Sequence, residues 1–298
     1  MIFCAAQAEE RGDTMLGTAP PQSRVLLVHQ PGPWGPRGLT ESRCNPAVAQ
    51  RIEAAAGRAG MRVQAIRRPG KHERDRPTDV YDVAIADAST ITWWRTDDLA
   101  AFADELDAGV PRAEPLSVET APLFLVCTHG RHDACCALRG IPLATALHGL
   151  RPGRVWETTH LSGDRFAANV LVLPGGDLYG RVVPELAAAL VDAAEARNVI
   201  PALLRGRLGM APFAQAALVY AHEQLGIAAR DALTVEGVEP NGPDGARVTL
   251  AAPDGRVVVT VAASTSAPAR LTCRGPVRAR ARVYTGVAIS GPGERRAG

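Results

Sequence analysis

Short unbroken apolar runs alternate with segments of helical spacing through most of the chain, a pattern that predicts an α/β fold. The run at 24–28 reads as a buried strand. After a Pro/Gly loop, apolar positions at helical spacing predict a helix over 46–59 that Gly60 ends. Residues 62–66, 81–86 and 91–95 read as strands, and 97–107 as a helix opened by acidic residues. The order then recurs: a strand at 123–126, a helix over 138–150 and a strand at 154–158. A hairpin follows, with 169–173 and 178–181 joined across Pro174-Gly175-Gly176-Asp177, then a helix over 183–197 with Pro184 in its first turn. Residues 201–225 read as helical, with a break around 206–212. From Leu233 onward the period changes, and 248–250, 256–261, 269–273 and 277–284 read as short strands between Gly, Pro and Asp turns.

The stretch from Val83 to Leu99 parallels that from Val170 to Leu186, which suggests two copies of one β-α-β-β-β-α-like unit. Alternating strands and helices resemble one another everywhere, so this repeat stands or falls on whether the two halves share a strand order. The expected divisions are an N-terminal α/β domain at 22–115, a second α/β domain at 116–227 and a small β domain at 228–290. Ahead of them, residues 1–21 read as a short helix and an extended lead-in, Gly17-Thr-Ala-Pro-Pro21, and residues 291–298 read as disordered.

Composition narrows the function. Apolar residues are 46% and charged residues 21%, as in a folded domain, and at 4% aromatics the cores must be built from Ala, Val and Leu. A net charge of +2 argues against a nucleic-acid partner. No apolar run is long enough to span a membrane, and no basic-then-apolar leader opens the chain, so a cytoplasmic location is expected. In a reducing compartment, clustered cysteines are more often metal ligands or redox centres than disulfides.

The informative cluster is Cys127-Thr-His129-Gly-Arg131-His132-Asp-Ala-Cys135-Cys136, on a loop from a buried strand into a helix. Such a loop is rigid and lies near helix amides, which stabilise thiolates. A second loop, Thr159-His160-Leu-Ser-Gly163-Asp164-Arg165-Phe-Ala-Ala-Asn169, again follows a strand. Two loops that leave strand ends are a sensible way to bring ligands to one point.

Cys127-x8-Cys136, His160-x2-Gly-Asp164-x-Phe-Ala-Ala-Asn169 and Leu173-Pro…Leu-Tyr-Gly-Arg181 together resemble the sucrase/ferredoxin-like proteins. The resemblance covers roughly residues 16–226, outside the β appendage. It implies a thioredoxin-like ferredoxin domain, preceded here by a degenerate α/β copy, and a [2Fe–2S] cluster serving electron transfer. In that family two ligands lie in the first loop and two more, three residues apart, in the second; eukaryotic relatives use His-x3-His there. The matching residues here are Cys127, Cys136, His160 and Asp164, so a carboxylate stands where a second histidine is expected. A carboxylate is harder and anionic, and should favour the oxidised cluster relative to histidine. The fourth place falls to Asp164, to Cys135, or to water with Asp164 structural.

Two other classes stay open. Cysteine, histidine and aspartate also suit a tetrahedral zinc ion, and a thiol-based redox protein would use Cys135 and Cys136, whose vicinal disulfide would be strained. Sucrose hydrolysis needs two carboxylates flanking the substrate; Glu157 and Asp164 are candidates only by proximity. Asp164 has a structural alternative too, pairing with Arg131 or Arg165. Cys4, Cys44 and Cys273 are isolated in sequence and read as small buried hydrophobes. His129 and His132 read as solvated or neighbouring a cluster. Asn169, Tyr179 and Arg181 read as fold residues, and His29 and Trp34 as packing. The near-neutral charge does not identify a redox partner protein, nor does the sequence tell the oligomeric state.

Overall fold

The computed structural model describes residues 3–70, 80–109, 111 and 113–291. A short helix α1 (Cys4–Glu10) precedes strand β1 (Arg24–His29), helix α2 (Pro46–Arg58) and strands β2 (Met61–Arg67), β3 (Tyr81–Ala86) and β4 (Ile91–Thr96). Helix α3 (Leu99–Asp107) closes this half, and β5 (Ser117–Glu119) leads to the next. The second half runs β6 (Leu123–Cys127), α4 (Ala134–Leu150), β7 (Val155–Thr158), β8 (Val170–Leu173), β9 (Asp177–Tyr179), α5 (Ala187–Glu195), β10 (Leu204–Arg207) and α6 (Pro212–Leu225). Strands β11 (Thr234–Pro240), β12 (Gly245–Ala252), β13 (Gly255–Thr265) and β14 (Arg282–Ser290) finish the chain.

Ten strands form one sheet in the order β10-β9-β8-β6-β7-β2-β1-β3-β4-β5. Each half places its first strand parallel to the one after its helix: β1 lies parallel to β2, and β6 to β7. The next strand then returns antiparallel beside the first, β3 on β1 and β8 on β6. The halves therefore read β2-β1-β3-β4 and β7-β6-β8-β9, and they meet at the antiparallel pair of β2 and β7. The central strands β1, β6, β7 and β8 are buried on both faces, which is why they read as continuous apolar runs rather than alternating ones.

On one face, α2 and α3 pack over Leu26, Val28, Val83 and Trp94, and α4 and α5 pack over Phe124, Val126, Val170 and Val172. The apolar spacing that predicted these helices is the stripe they bury here. Asn45 and Asp98 cap α2 and α3, accepting from the backbone N–H groups of Ala47 and Ala100. Helix α6 joins the large sheet to the antiparallel sheet β11-β12-β13-β14. Val219 enters the core of the second half, while Ala217, Leu218 and Ala221 pack on Val248, Val259 and Val261.

The structure differs from expectation at several elements: β5 and β11 had no predicted counterpart, and α4 begins at Ala134 rather than at 138. Residues 204–207, expected to be the end of a helical stretch and the start of its break, form the edge strand β10 beside β9. Their short run Leu-Arg-Gly-Arg carries no strand alternation, and only the open edge of β9 decides its state. Residues 269–273 form no strand but belong to a loop between β13 and β14, closed by one bridge between Ala269 and Ala279. Strand β14 accordingly starts later than expected, at Arg282. The expectation of disorder after Gly291 falls outside the described residues. No helix of the described residues is long and apolar enough to cross a membrane.

Candidate metal centre

Cys127 is the last residue of β6, and the chain turns there into α4. Asp133 caps that helix, its Oδ1 accepting from the backbone N–H of Cys135 at 2.9 Å. Gly140, on the next turn but one, lets α4 lie against the strand end. A Cβ there would stand 2.1 Å from the carbonyl oxygen of Cys127. Helix and strand thus approach closely enough for Cys127 and Cys136 to share a buried space.

The second loop leaves β7. Ser162 and Gly163 both have positive φ (73° and 70°), which folds the chain back so that Asp164 opens a 3-10 turn beneath His160. Glycine is required at 163, because a Cβ would meet the Arg205 guanidinium at 2.4 Å. Arg205 itself is 0% exposed. Its Nη1 donates to Ser162 O at 2.9 Å and to Asn169 Oδ1 at 2.8 Å, and its Nη2 donates to Thr18 O at 2.8 Å. Asn169 Nδ2 donates in turn to Gly163 O at 3.1 Å. Asn169 is therefore a fold residue as expected, but Arg205 had no sequence signal: an arginine in an edge strand looks solvent-facing until β9 and the lead-in segment close over it.

These two loops bring the predicted residues together. Donor atoms of Cys127, Cys136 and His160 lie within 4.8 Å of one another, as do those of His132, His160 and Asp164. Cys136 Sγ–H donates to Asp164 Oδ1 at 3.2 Å, and His160 Nδ1 lies 2.8 Å from the same oxygen. Asp164 thus faces His160 and Cys136 rather than an arginine; Arg165 reaches Asp13 instead, at 3.4 Å. Glu157 is tied to Arg67 at 2.7 Å and accepts from Thr128 Oγ1 at 3.1 Å, a buried structural pair.

The electrostatics follow from these contacts. The neighbouring Cys136 sulfur holds the Cys127 thiol well below its ordinary pKa, with further help from His160 and against the cost of burial. The same contact, with burial and the charges of Cys127 and Asp164, pushes Cys136 up. Burial would lower His160, but the adjoining Asp164 carboxylate and Cys127 sulfur win and raise it to about 9. Burial likewise opposes ionisation of Asp164, yet His160 and Cys136 hold it below the usual carboxylate range. A metal ion bound here would release the protons these groups carry.

The first half of the chain walls the site. His129 Nε2–H donates to Gly35 O at 2.7 Å and its Nδ1 accepts from the backbone N–H of His160 at 3.3 Å. His132 Nδ1–H donates to Pro36 O at 3.1 Å, and its ring stacks on His160 with centroids 3.9 Å apart. His129 is buried and half of the expectation for it therefore fails: it is no solvated residue but a link between the two loops. Trp34 packs edge-on to His129 and His29 edge-on to Trp156, as packing residues do. A cavity of about 240 Å³ opens beside Pro36, Arg37, His132 and His160 and gives the site its solvent edge.

The remaining cysteines divide unexpectedly. Cys135 turns away from Cys127 and joins Cys4, Cys273 and Asp133 in a separate group. Cys4 and Cys273 are distant in sequence from each other and from Cys135, so no spacing signalled this group. Cys44 stays alone in the core of the first half.

A family model described as Sucrase/ferredoxin-like matches residues 15–206. No curated protein and no solved structure matches the chain.

Proposed function

The chain belongs to the sucrase/ferredoxin-like family, and from that premise we propose that it is an electron-transfer protein whose [2Fe–2S] cluster is held by Cys127, Cys136, His160 and Asp164. One observation carries this reading: two loops, each leaving a strand end, bring donor atoms of Cys127, Cys136 and His160 within 4.8 Å of one another in a buried space with a narrow solvent edge, and Asp164 lies against both His160 and Cys136. The donor chemistry fits. Thiolates are the preferred ligands of iron–sulfur clusters, and nitrogen donors replace them on one iron. When bound, the cluster supplies one-electron chemistry.

The chain's own residues set the conditions for it. Arg62 and Arg205 feel the charge of Cys127, and so offset part of the anionic ligand set. Arg62 also donates to His160 O at 2.6 Å and to Ser162 Oγ at 2.9 Å, which fixes the second loop. His132, stacked on His160 at the solvent edge, is the natural contact for a redox partner protein in the cytoplasm. The fold belongs to the same reading. The halves are a thioredoxin-like domain and its degenerate copy: they share a strand order, and His29, the end of β1, stands in register where Cys127 ends β6.

A second reading has an observation of its own. The donors of Cys127, Cys136 and His160 are compact enough to surround one ion, and Cys and His are ordinary zinc ligands. Protein purified without oxygen, assayed for iron, acid-labile sulfide and zinc and examined by visible and EPR spectroscopy, separates the two. Equal iron and sulfide, with an EPR signal that develops on reduction, is the expected result. A colourless protein whose Cys127→Ala variant loses zinc would replace the cluster with a zinc ion.

A further inference from the structure

The group formed by Cys4, Cys135, Cys273 and Asp133 is assembled from three remote segments: α1, the capped start of α4 and the loop between β13 and β14. Its three sulfurs form a triangle. Cys4 lies 3.6 Å from Cys135 and 3.6 Å from Cys273, and Cys135 lies 3.4 Å from Cys273. The carboxylate of Asp133 closes the group, with Oδ2 and Oδ1 at 3.7 and 3.8 Å from Cys4 Sγ. A tetrahedral ion with zinc–sulfur bonds near 2.3 Å holds its sulfurs about 3.8 Å apart. The observed triangle needs only a slight opening to admit one.

The surroundings suit a charged site better than three packed thiols. Asp133 is 0% exposed and already accepts from the backbone N–H groups of Cys135 and Cys273, so its position is fixed. A buried carboxylate against sulfurs is costly unless a cation joins them. Both Cys4 and Cys273 lie outside the residues 15–206 that carry the family match, so this group is an addition to the family's centre.

We propose that Cys4, Cys135, Cys273 and Asp133 bind a structural zinc ion, separate from the centre at Cys127 and Cys136. The ion pins the loop of the C-terminal sheet and the first helix to the start of α4, the same turn that presents Cys136. Metal binding of this kind is folding free energy, because the ligands are far apart in the unfolded chain.

The full chain, purified without oxygen, tests this by zinc content and by cobalt substitution. Wild type is expected to hold one zinc that Cys4→Ala/Cys273→Ala lacks, with the iron content and visible spectrum of the first centre unchanged. Cobalt-loaded wild type should show the intense visible bands of a tetrahedral thiolate site. These bands should persist in Cys127→Ala/Cys136→Ala and vanish in Cys4→Ala/Cys273→Ala. Cys273→Ala alone, on a partly exposed loop outside the main cores, should retain the fold by circular dichroism and lose zinc affinity at least ten-fold in chelator competition. Equal zinc content in wild type and the double variant overturns the proposal. So does a disulfide among Cys4, Cys135 and Cys273 in that preparation, or iron in place of zinc as the metal the double variant loses.

Discussion

Cys135 and Cys136 are consecutive, yet their sulfurs belong to different groups: that of Cys136 lies 3.2 Å from Asp164 Oδ1, and that of Cys135 lies 3.6 Å from Cys4 Sγ. Successive residues on a helix point about 100° apart, so one helix start serves two clusters on either side of it. The relationship separates their roles. Cys136→Ala should abolish the chromophore of the first centre. Cys135→Ala should leave that chromophore in place and remove the metal of the second group. Loss of the visible spectrum in Cys135→Ala would instead make Cys135 a ligand of the first centre.

Asp164 stands where a second histidine is expected from the resemblance. With an anionic ligand favouring the oxidised cluster, Asp164→His should raise the reduction potential, while Asp164→Ala should lower cluster occupancy. Potentiometric titration followed by EPR reads the first effect and iron content the second. An unchanged potential and full occupancy in both variants would assign Asp164 a structural role.

Arg205 holds the second loop in place through Thr18, Ser162 and Asn169. Arg205→Met removes the charge and leaves several buried acceptors without donors, at about 1–3 kcal/mol for each one left unsatisfied. Urea denaturation should show a loss of about 3 kcal/mol or more on that basis, with metal occupancy falling alongside.

Two glycines of α4 make a matched pair. Gly140→Ala would press a methyl group into the carbonyl of Cys127, and should cost about 1–3 kcal/mol or more while displacing the helix that carries Cys136. Gly149→Ala meets nothing within 4 Å and should stabilise the helix by roughly 0.5–1 kcal/mol. Thermal melting and metal content of both variants check this, with only the first expected to lose metal.

His222 on α6 gives the protein an acid-sensitive joint between its two sheets. Burial pushes its pKa down, against the hydrogen bond its Nδ1–H donates to Ile227 O at 2.7 Å, and Arg207 and Arg230 push the same way as burial. A depressed folded pKa means the folded state prefers the neutral ring. This contribution to stability is full above the unfolded pKa, about 6.5, and is lost as pH falls through the lower folded value. Urea midpoints should therefore drop in mildly acidic buffer by more in wild type than in His222→Gln. Equal pH slopes would remove His222 from the account.

The sequence by itself determined most of the elements, because apolar runs and helical spacing are local signals. It also pointed to the family and put the four candidate residues of the first centre on two loops. Those residues were legible because each pair sits in one loop at a strand end, so short spacing already constrains their distance. Residues 204–207 were not legible, since an edge strand is made by its neighbour rather than by its own pattern. Nor was Arg205, whose burial depends on Thr18 and Asn169 arriving from distant parts of the chain. The grouping of Cys4, Cys135 and Cys273 is the clearest case. Their separation in the chain carries no information about proximity, and only the tertiary packing of the first helix and the last sheet against α4 brings three sulfurs and Asp133 to one place.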